Sequence, residues 1–455
     1  MWKKIWERIK DALTDLLIEI LELWPRFQIY VGREWTAFAR WLVISIAVGG
    51  VVGVVGAAFH HAVEWATATR LEHPWLLFLL PVAGLIIVGI YQLFHMENDG
   101  GTEFVLASVR DSRYLRLTMV PLIFVSTVLT HLCGGSAGRE GAALQIGGGL
   151  SAAVGRFIKL DSKDERIATM AGMSAGFSAL FGTPLSAAVF AMEVESVGVM
   201  YYAAIIPCFV SSLIANIVSH RLHCEGTSFL VHGAAVVSIP TMAKLILLGG
   251  LCGMLANIFC RVMHGFNMLY RRYFKKRWTK IIAGGILIIL LTHIFGTDYN
   301  GAGMNIISEA LEGRVVPYAF LLKMIFTGAT LSAGYKGGEI VPSFFVGATF
   351  GCAVAPLLGL SASFGAAVGM VSVFCGVTNS PMTSILLGYE LFAGVGVAPL
   401  ALGVAVSYML SGYTGLYHEQ KIMYSKTKAV FINKSGSEEY FGREKRAEYM
   451  PEKEE

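Results

Sequence analysis

Charge is the scarce commodity in this chain. Asp, Glu, Lys and Arg together make up 15% of its 455 residues, well below the quarter or so of a soluble domain. A water-soluble protein of this length needs a far more polar surface. The net charge is only +4 and is scattered, which excludes a nucleic-acid-binding surface. No C-x-x-C spacing appears among the seven cysteines, and Cys208, Cys252, Cys260 and Cys375 lie inside apolar runs. Reduced buried thiols follow, not a zinc site or a disulfide framework. There is no H-E-x-x-H and no Walker sequence, so neither a zinc protease nor an ATP-driven pump is indicated. His60-His61 lacks partner ligands in the sequence and reads as an interfacial pair. No metal and no cofactor is expected.

What the chain has instead is apolar length. Hydrophobic residues reach 55% and the mean hydropathy is +0.60, the profile of an all-α membrane protein with many spans. Clear apolar segments fall at 41–63, 75–95, 117–133, 200–219, 242–264, 280–296, 318–333 and 396–411. Others are short and broken by glycine: 101–110, 140–155, 184–195, 343–359 and 380–393. Broken segments at membrane depth survive only when buried in protein or lining a cavity. Glycine, at 51 residues, lets helix backbones approach closely where lipid offers little drive for association.

The basic clusters RDSRYLR (110–116), RFIKLDSKDER (156–166) and RRYFKKRWTK (271–280) are assigned to the cytoplasmic side by the positive-inside tendency. Residues 1–35 are amphipathic rather than signal-like, with Trp2, Ile5, Trp6, Ile9, Leu13, Leu16, Leu17 and Ile20 at helical spacing. Two readings stay open there: a helix on the membrane surface, or a helix packed on the bundle. Residues 427–455 read as a polar tail, partly disordered. Both termini are placed in the cytoplasm.

The chain repeats itself. Gly172-Met173, Phe177, Pro184 and Glu193 recur at Gly369-Met370, Phe374, Pro381 and Glu390, each offset by 197 positions. GRE at 138–140 faces GGE at 337–339, offset by 199. Duplication predicts halves at about 36–222 and 240–426 within a membrane domain of 36–426. Repeats with broken helices in matching positions point to a transport site near the bilayer midplane.

The turns carry the chemistry. A helix that starts inside the membrane leaves its first N–H groups unpaired and partly positive. With glycine beside them, they cradle a small anion without a full cation. Three turns qualify: Asp99-Gly100-Gly101-Thr102, Gly134–Gly141 and Gly334–Pro342. Glu140, at the start of a helix, suits a carboxylate that occupies the anion's place when ionised and swings away when protonated. Intramembrane ionisable residues are functional by default, although a structural contact with Arg139 or with the helix dipole is the alternative. Glu339 holds the matching position in the second half. Lys336, three residues earlier, leaves open a solvent-facing loop end.

GREG at 138–141 followed by AALQIGGGL resembles the hallmark of the CLC anion channels and transporters. PLSAAVFAMEVE (184–195), GEIVP (338–342) and SGYTGLY (411–417) resemble later hallmarks in the right order. The resemblance covers about 40–426. It implies two inverted halves around one pore, and a dimer with two independent pores. It makes Glu140 the external gating glutamate and Tyr417 the central pore tyrosine, with Tyr413 as a rival. Gly100, Gly101, Thr102, Gly138, Arg139, Gly141, Ile340 and Val341 become the anion-binding set.

The departures are informative. The family's G-S-G-I-P is absent and GGTEF (100–104) stands in its place, with Gly100 at or near the usual central serine. Ile340 replaces the phenylalanine of G-x-F-x-P. Val194 stands where the inner proton-transfer glutamate is expected, with Glu195 adjacent. This pattern is similar to the fluoride-exporting branch, which lacks the serine and the inner glutamate and carries GGE. YKGGE (335–339) and GLYHEQKIMYSK (415–426) fit that branch, whereas Val341 lies where it has threonine. The expectation is a fluoride/proton antiporter in the cell membrane. The alternatives are a chloride/proton antiporter or a passive chloride channel. A remote alternative is an intramembrane serine hydrolase, because GGSAG (134–138) and GMSAG (172–176) both fit G-x-S-x-G. Neither copy has the strand context or triad partners that chemistry needs.

Overall fold

A computed structural model describes residues 2–97, 100–111, 113–234 and 236–435, with side chains at Glu7 and, among these, over 31–433. The described residues form sixteen α-helices. The first eight are α1 (Trp2–Glu72), α2 (Leu80–Leu93), α3 (Thr102–Asp111), α4 (Met119–Leu132), α5 (Glu140–Phe157), α6 (Ser162–Phe181), α7 (Pro184–Glu193) and α8 (Ile205–Arg221). The other eight are α9 (Ile239–Tyr273), α10 (Arg277–Phe295), α11 (Met304–Leu311), α12 (Ala319–Ala333), α13 (Ile340–Val354), α14 (Ala362–Thr378), α15 (Pro381–Leu391) and α16 (Val397–Leu410). From α4 and α12 onward the two sets run in step, helix for helix.

Among the described residues, six helical stretches are long and apolar enough to cross a membrane, beginning with Val31–Glu72 and including Ile239–Tyr273 and Ile340–Leu358. The amphipathic segment expected at the N-terminus belongs to α1, which runs unbroken from Trp2 to Glu72. Apart from Glu7, its side chains before Val31 lie outside the described residues, as does the tail from 436 onward.

Two helices escape the hydropathy reading. α6 and α14 are the innermost elements of their halves, with residues 168–181 and 363–378 buried throughout. α6 opens on a charged first turn and is rich in Gly, Ala and Ser, so its hydropathy is modest. A helix buried all round shows no polar face for periodicity to reveal. Each packs on its predecessor through glycine: a Cβ on Gly147 of α5 would lie 2.0 Å from the Gly172 carbonyl oxygen of α6. The pair Gly347 and Gly369 repeats this between α13 and α14, at 2.3 Å. Backbones this close leave room for no side chain.

The Pro-led helices α7 and α15 start alike. α6 ends at Gly182 (φ +69°) and α14 at Asn379 (φ +58°), both left-handed caps, and proline follows at the first position of the next helix. Left-handed cap and N1 proline together stop one helix and start another. One element departs from an all-α chain: a small sheet of β1 (Ser196–Val197), β2 (Lys421–Tyr424) and β3 (Phe431–Ser435), in the order β1-β2-β3. It pins the segment after α16 beneath α7. SGYTGLY is a turn and irregular backbone, not helix.

Candidate functional site

The three glycine-rich turns singled out in the sequence meet in space. Each delivers a helix N-terminus: α3 at Thr102, α5 at Glu140, α13 at Ile340. Asp99 of the first turn lies outside the described residues. The other two turns are joined directly. Gly138 N–H donates to the Gly338 carbonyl at 2.8 Å, and Gly338 N–H donates back at 2.7 Å, an isolated antiparallel bridge. This bridge sets α5 and α13 tip to tip.

Glu140 fills the gap between those tips and is fully buried. Its Oε1 accepts from the Arg139 N–H at 3.0 Å and its Oε2 from the Val341 N–H at 3.3 Å. One carboxylate is thus held by backbone donors from both halves, where two helix dipoles add. Both bridge glycines are required for this seat. A Cβ on Gly138 would stand 2.2 Å from Glu140 Oε2, and one on Gly338 2.8 Å from it.

Below the seat is a cavity of about 340 Å³. Gly100, Gly101, Thr102, Gly141, Glu339 and Tyr417 all line it. Thr102 ties α3 to α5: its hydroxyl donates to the Gly141 carbonyl at 3.3 Å and accepts from Gln145 Nε2 at 3.2 Å. Gln145 also donates to Gly141 O at 3.1 Å. Glu339 is the residue immediately before α13, half-buried on the cavity wall. Lys336 lines the same cavity and stands over the Tyr91 ring at 4.4 Å. The two tyrosines separate: Tyr417 faces the cavity, whereas the Tyr413 hydroxyl pairs with Ser425 at 2.7 Å.

Ile340, Val341, Arg139 and the inner position Val194 sit differently. Ile340 and Val341 are buried and line no part of the cavity, so Val341 contributes its backbone N–H alone. Arg139 likewise offers its N–H to Glu140, and its side chain is absent from the cavity wall. Val194 is fully buried.

The two serines of the G-x-S-x-G matches find no histidine among the described residues. Ser136 Oγ pairs with Thr327 Oγ1 at 3.1 Å. Ser174 Oγ pairs with the Ala171 and Cys208 carbonyls and with Ser211. His131 turns its Nδ1 to the Thr127 carbonyl. The nucleophile and base pairing of a hydrolase is not assembled here.

Sequence reasoning missed several polar side chains on the cavity wall, among them Glu103, Gln145, His264 and His418. Glu103 carried a readable signal, a carboxylate in the first turn of a short apolar helix. The histidines come from segments more than 150 residues apart, and only the fold unites them.

The sequence profile of the voltage gated chloride channels matches residues 83–412. A chloride/fluoride channel protein of Pseudomonas syringae pv. tomato is 35% identical over 397 residues, covering 85% of this chain and 88% of that protein. An H(+)/Cl(-) exchange transporter of Salmonella paratyphi B is 26% identical over 84% of this chain and 87% of its own. Among solved structures, a CLC-type fluoride/proton antiporter superposes with a TM-score of 0.81 at 30% identity, over 84% of this chain and 98% of that one. A slow cyanobacterial Cl-/H+ antiporter shares the fold, with a TM-score of 0.70 at 21% identity, over 82% of this chain and 94% of that one.

Proposed function

The chain belongs to the voltage gated chloride channel family, a multi-pass membrane family and not an enzyme, and from that membership we propose that it exports fluoride in exchange for protons. The observation that carries this reading is the pair of carboxylates. Glu140 sits in an anion's seat between two helix tips, and Glu339 lines the cavity below it. When Glu140 takes a proton it loses its attraction to the seat and leaves, and the same N–H donors receive an anion. The anion and the proton then move in opposite senses through one alternating position.

Fluoride suits this chemistry better than chloride. It is small, strongly hydrated and a strong hydrogen-bond acceptor, and it is the conjugate base of a weak acid. A protonated carboxyl donates it a short hydrogen bond, which offsets part of its dehydration. Two carboxyls and the absence of the usual central serine fit that demand. The likeness to a fluoride/proton antiporter and to a chloride/fluoride channel protein supports the anion assigned.

The rest of the assembly follows the same reading. The halves 36–222 and 240–426 are inverted repeats around one pathway. The basic clusters and both termini face the cytoplasm, and two subunits pair within the lipid. Protons running inward drive fluoride outward.

The test is efflux from proteoliposomes read by fluoride, chloride and pH electrodes. Fluoride efflux with proton uptake and little chloride movement is expected. Fluoride flux that ignores an imposed proton gradient makes the protein a channel, and comparable chloride flux moves it to the chloride exchangers.

A further inference from the structure

The inner glutamate position poses a problem for any proton route. Val194 cannot carry a proton and touches no part of the cavity. The neighbouring Glu195 is also absent from the cavity wall and is engaged by the Ser196 hydroxyl. Protons that reach Glu339 need another way to the cytoplasmic solution.

The cavity wall supplies one. Glu103 lies one residue beyond Thr102 at the start of α3, half-buried, on the same wall as Glu339. One of its oxygens, Oε1, accepts the His418 backbone N–H at 2.9 Å. That bond fixes the carboxyl and leaves Oε2 without a protein donor among the described residues. Next to it the rings of His264 and His418 lie with centroids 4.0 Å apart, tilted by 44°, and His264 Nε2 meets the Gly415 carbonyl at 3.1 Å. Both rings line the cavity. His264 stands on α9 two turns before the basic segment 271–280, on the side assigned to the cytoplasm. Glu339, Glu103 and the histidine pair therefore share one cavity wall.

The charged surroundings are compatible. Lys280 of α10 and Lys336 of the turn before α13 line the cavity. Arg271 of α9 acts on His418, and Glu419 acts on both His418 and Glu103 while held by Arg110 and Arg113. The two lysines repel free cations, so a proton crosses by transfer between groups and bridging water, not as a diffusing ion.

We propose that Glu103, backed by the paired His264 and His418, relays protons between Glu339 and the cytoplasmic solution, in place of an inner glutamate at position 194. This rests on the antiport reading above. No bond other than to the proton changes: the Glu103 carboxyl receives a proton from the Glu339 side and gives it up toward the imidazoles and inner water.

The experiment uses the full chain in proteoliposomes, with fluoride and proton flux recorded while the cytoplasmic-face pH is varied. Glu103→Gln keeps an oxygen for the His418 N–H and cannot relay a proton. It is expected to cut coupled fluoride efflux at least about tenfold, a modest loss for a positioned proton-transfer group, and to flatten the pH dependence. Glu103→Asp is expected to restore both, and Glu195→Gln to leave both at wild-type values. His264→Gln is expected to lower coupled fluoride efflux. A Glu103→Gln protein with wild-type rate and pH profile overturns the relay. So does equal loss in Glu103→Gln and Glu103→Asp with weakened fluoride binding, which marks a structural role. Wild-type protein that moves no protons overturns the antiport reading and the relay with it. Coupled wild-type flux beside an indifferent Glu103→Gln overturns the relay alone.

Discussion

Glu140 shows how much one side chain depends on the absence of others. Its carboxylate is held by two N–H donors from opposite halves, and the space it fills exists because Gly138 and Gly338 have no Cβ. Glu140→Gln keeps the shape and removes the titration. Proton-coupled fluoride flux is expected to disappear, as read by paired fluoride and pH electrodes; intact coupling in that variant would sink the mechanism. Gly138→Ala tests the seat itself. The new methyl must displace the carboxylate, and coupled efflux is expected to fall about tenfold, which corresponds to roughly 1.4 kcal/mol. Gly50→Ala in α1, where a Cβ meets nothing within 4 Å, is the matched control and should transport at the wild-type rate. The GRE and GGE turns were legible from sequence because glycine beside charge stands out in an apolar chain. That the two turns hydrogen-bond to each other was not, because contact between residues about 200 positions apart is set by packing.

At the scale of elements, one contact between the two sets of helices is reciprocal. Glu193 at the end of α7 accepts from the Met382 and Thr383 N–H groups at 3.0 and 2.8 Å, and from the Thr383 hydroxyl at 2.6 Å. Glu390 in the last turn of α15 accepts from the Leu185 and Ser186 N–H groups, both at 2.8 Å. Each carboxylate caps the first turn of the other Pro-led helix and satisfies donors that lipid would leave bare. A two-fold relation between the helices produces such an exchange. Replacing Glu193 with Gln turns an all-acceptor group into one that also presents donors to donors. About 1–3 kcal/mol of stability is expected to go, seen as a lower unfolding temperature in detergent. Glu390→Gln should cost a similar amount. The double variant should depart from additivity, because both caps hold one helix pair. Sequence spacing picked out Glu193 and Glu390 as repeat markers, yet nothing in the spacing said that they exchange caps.

The whole molecule is turned outward toward lipid. Val43, Phe78, Leu247, Ile294 and Leu357 are each more than half exposed, which a water-soluble surface would not tolerate in such number. α8 exposes Ile206, Leu213 and Ile217, and α16 exposes Met409 and Leu410. A dimer interface on those side chains belongs to the same proposal. Light scattering in detergent is expected to return twice the chain mass of 49.3 kDa, and Ile206→Trp with Met409→Trp is expected to shift it to a single chain. The cavity and the Glu140 seat lie within one subunit, so the separated chain should still move fluoride.

Sequence alone determined the class of this protein and the parts of its pathway. Low charge and apolar length require lipid on the outside, serial repeats organise the chain in two, and glycine turns beside carboxylates mark where helices begin at membrane depth. These are local or periodic properties, and a one-dimensional string carries them in full. Tertiary structure decided which turns meet, which of Tyr413 and Tyr417 faces the cavity, and that α6 and α14 form the buried centre. It also brought Glu103, His264 and His418 to one wall. Contacts between residues hundreds of positions apart depend on how sixteen helices fill space together, and hydropathy, spacing and turn chemistry do not encode that packing one segment at a time.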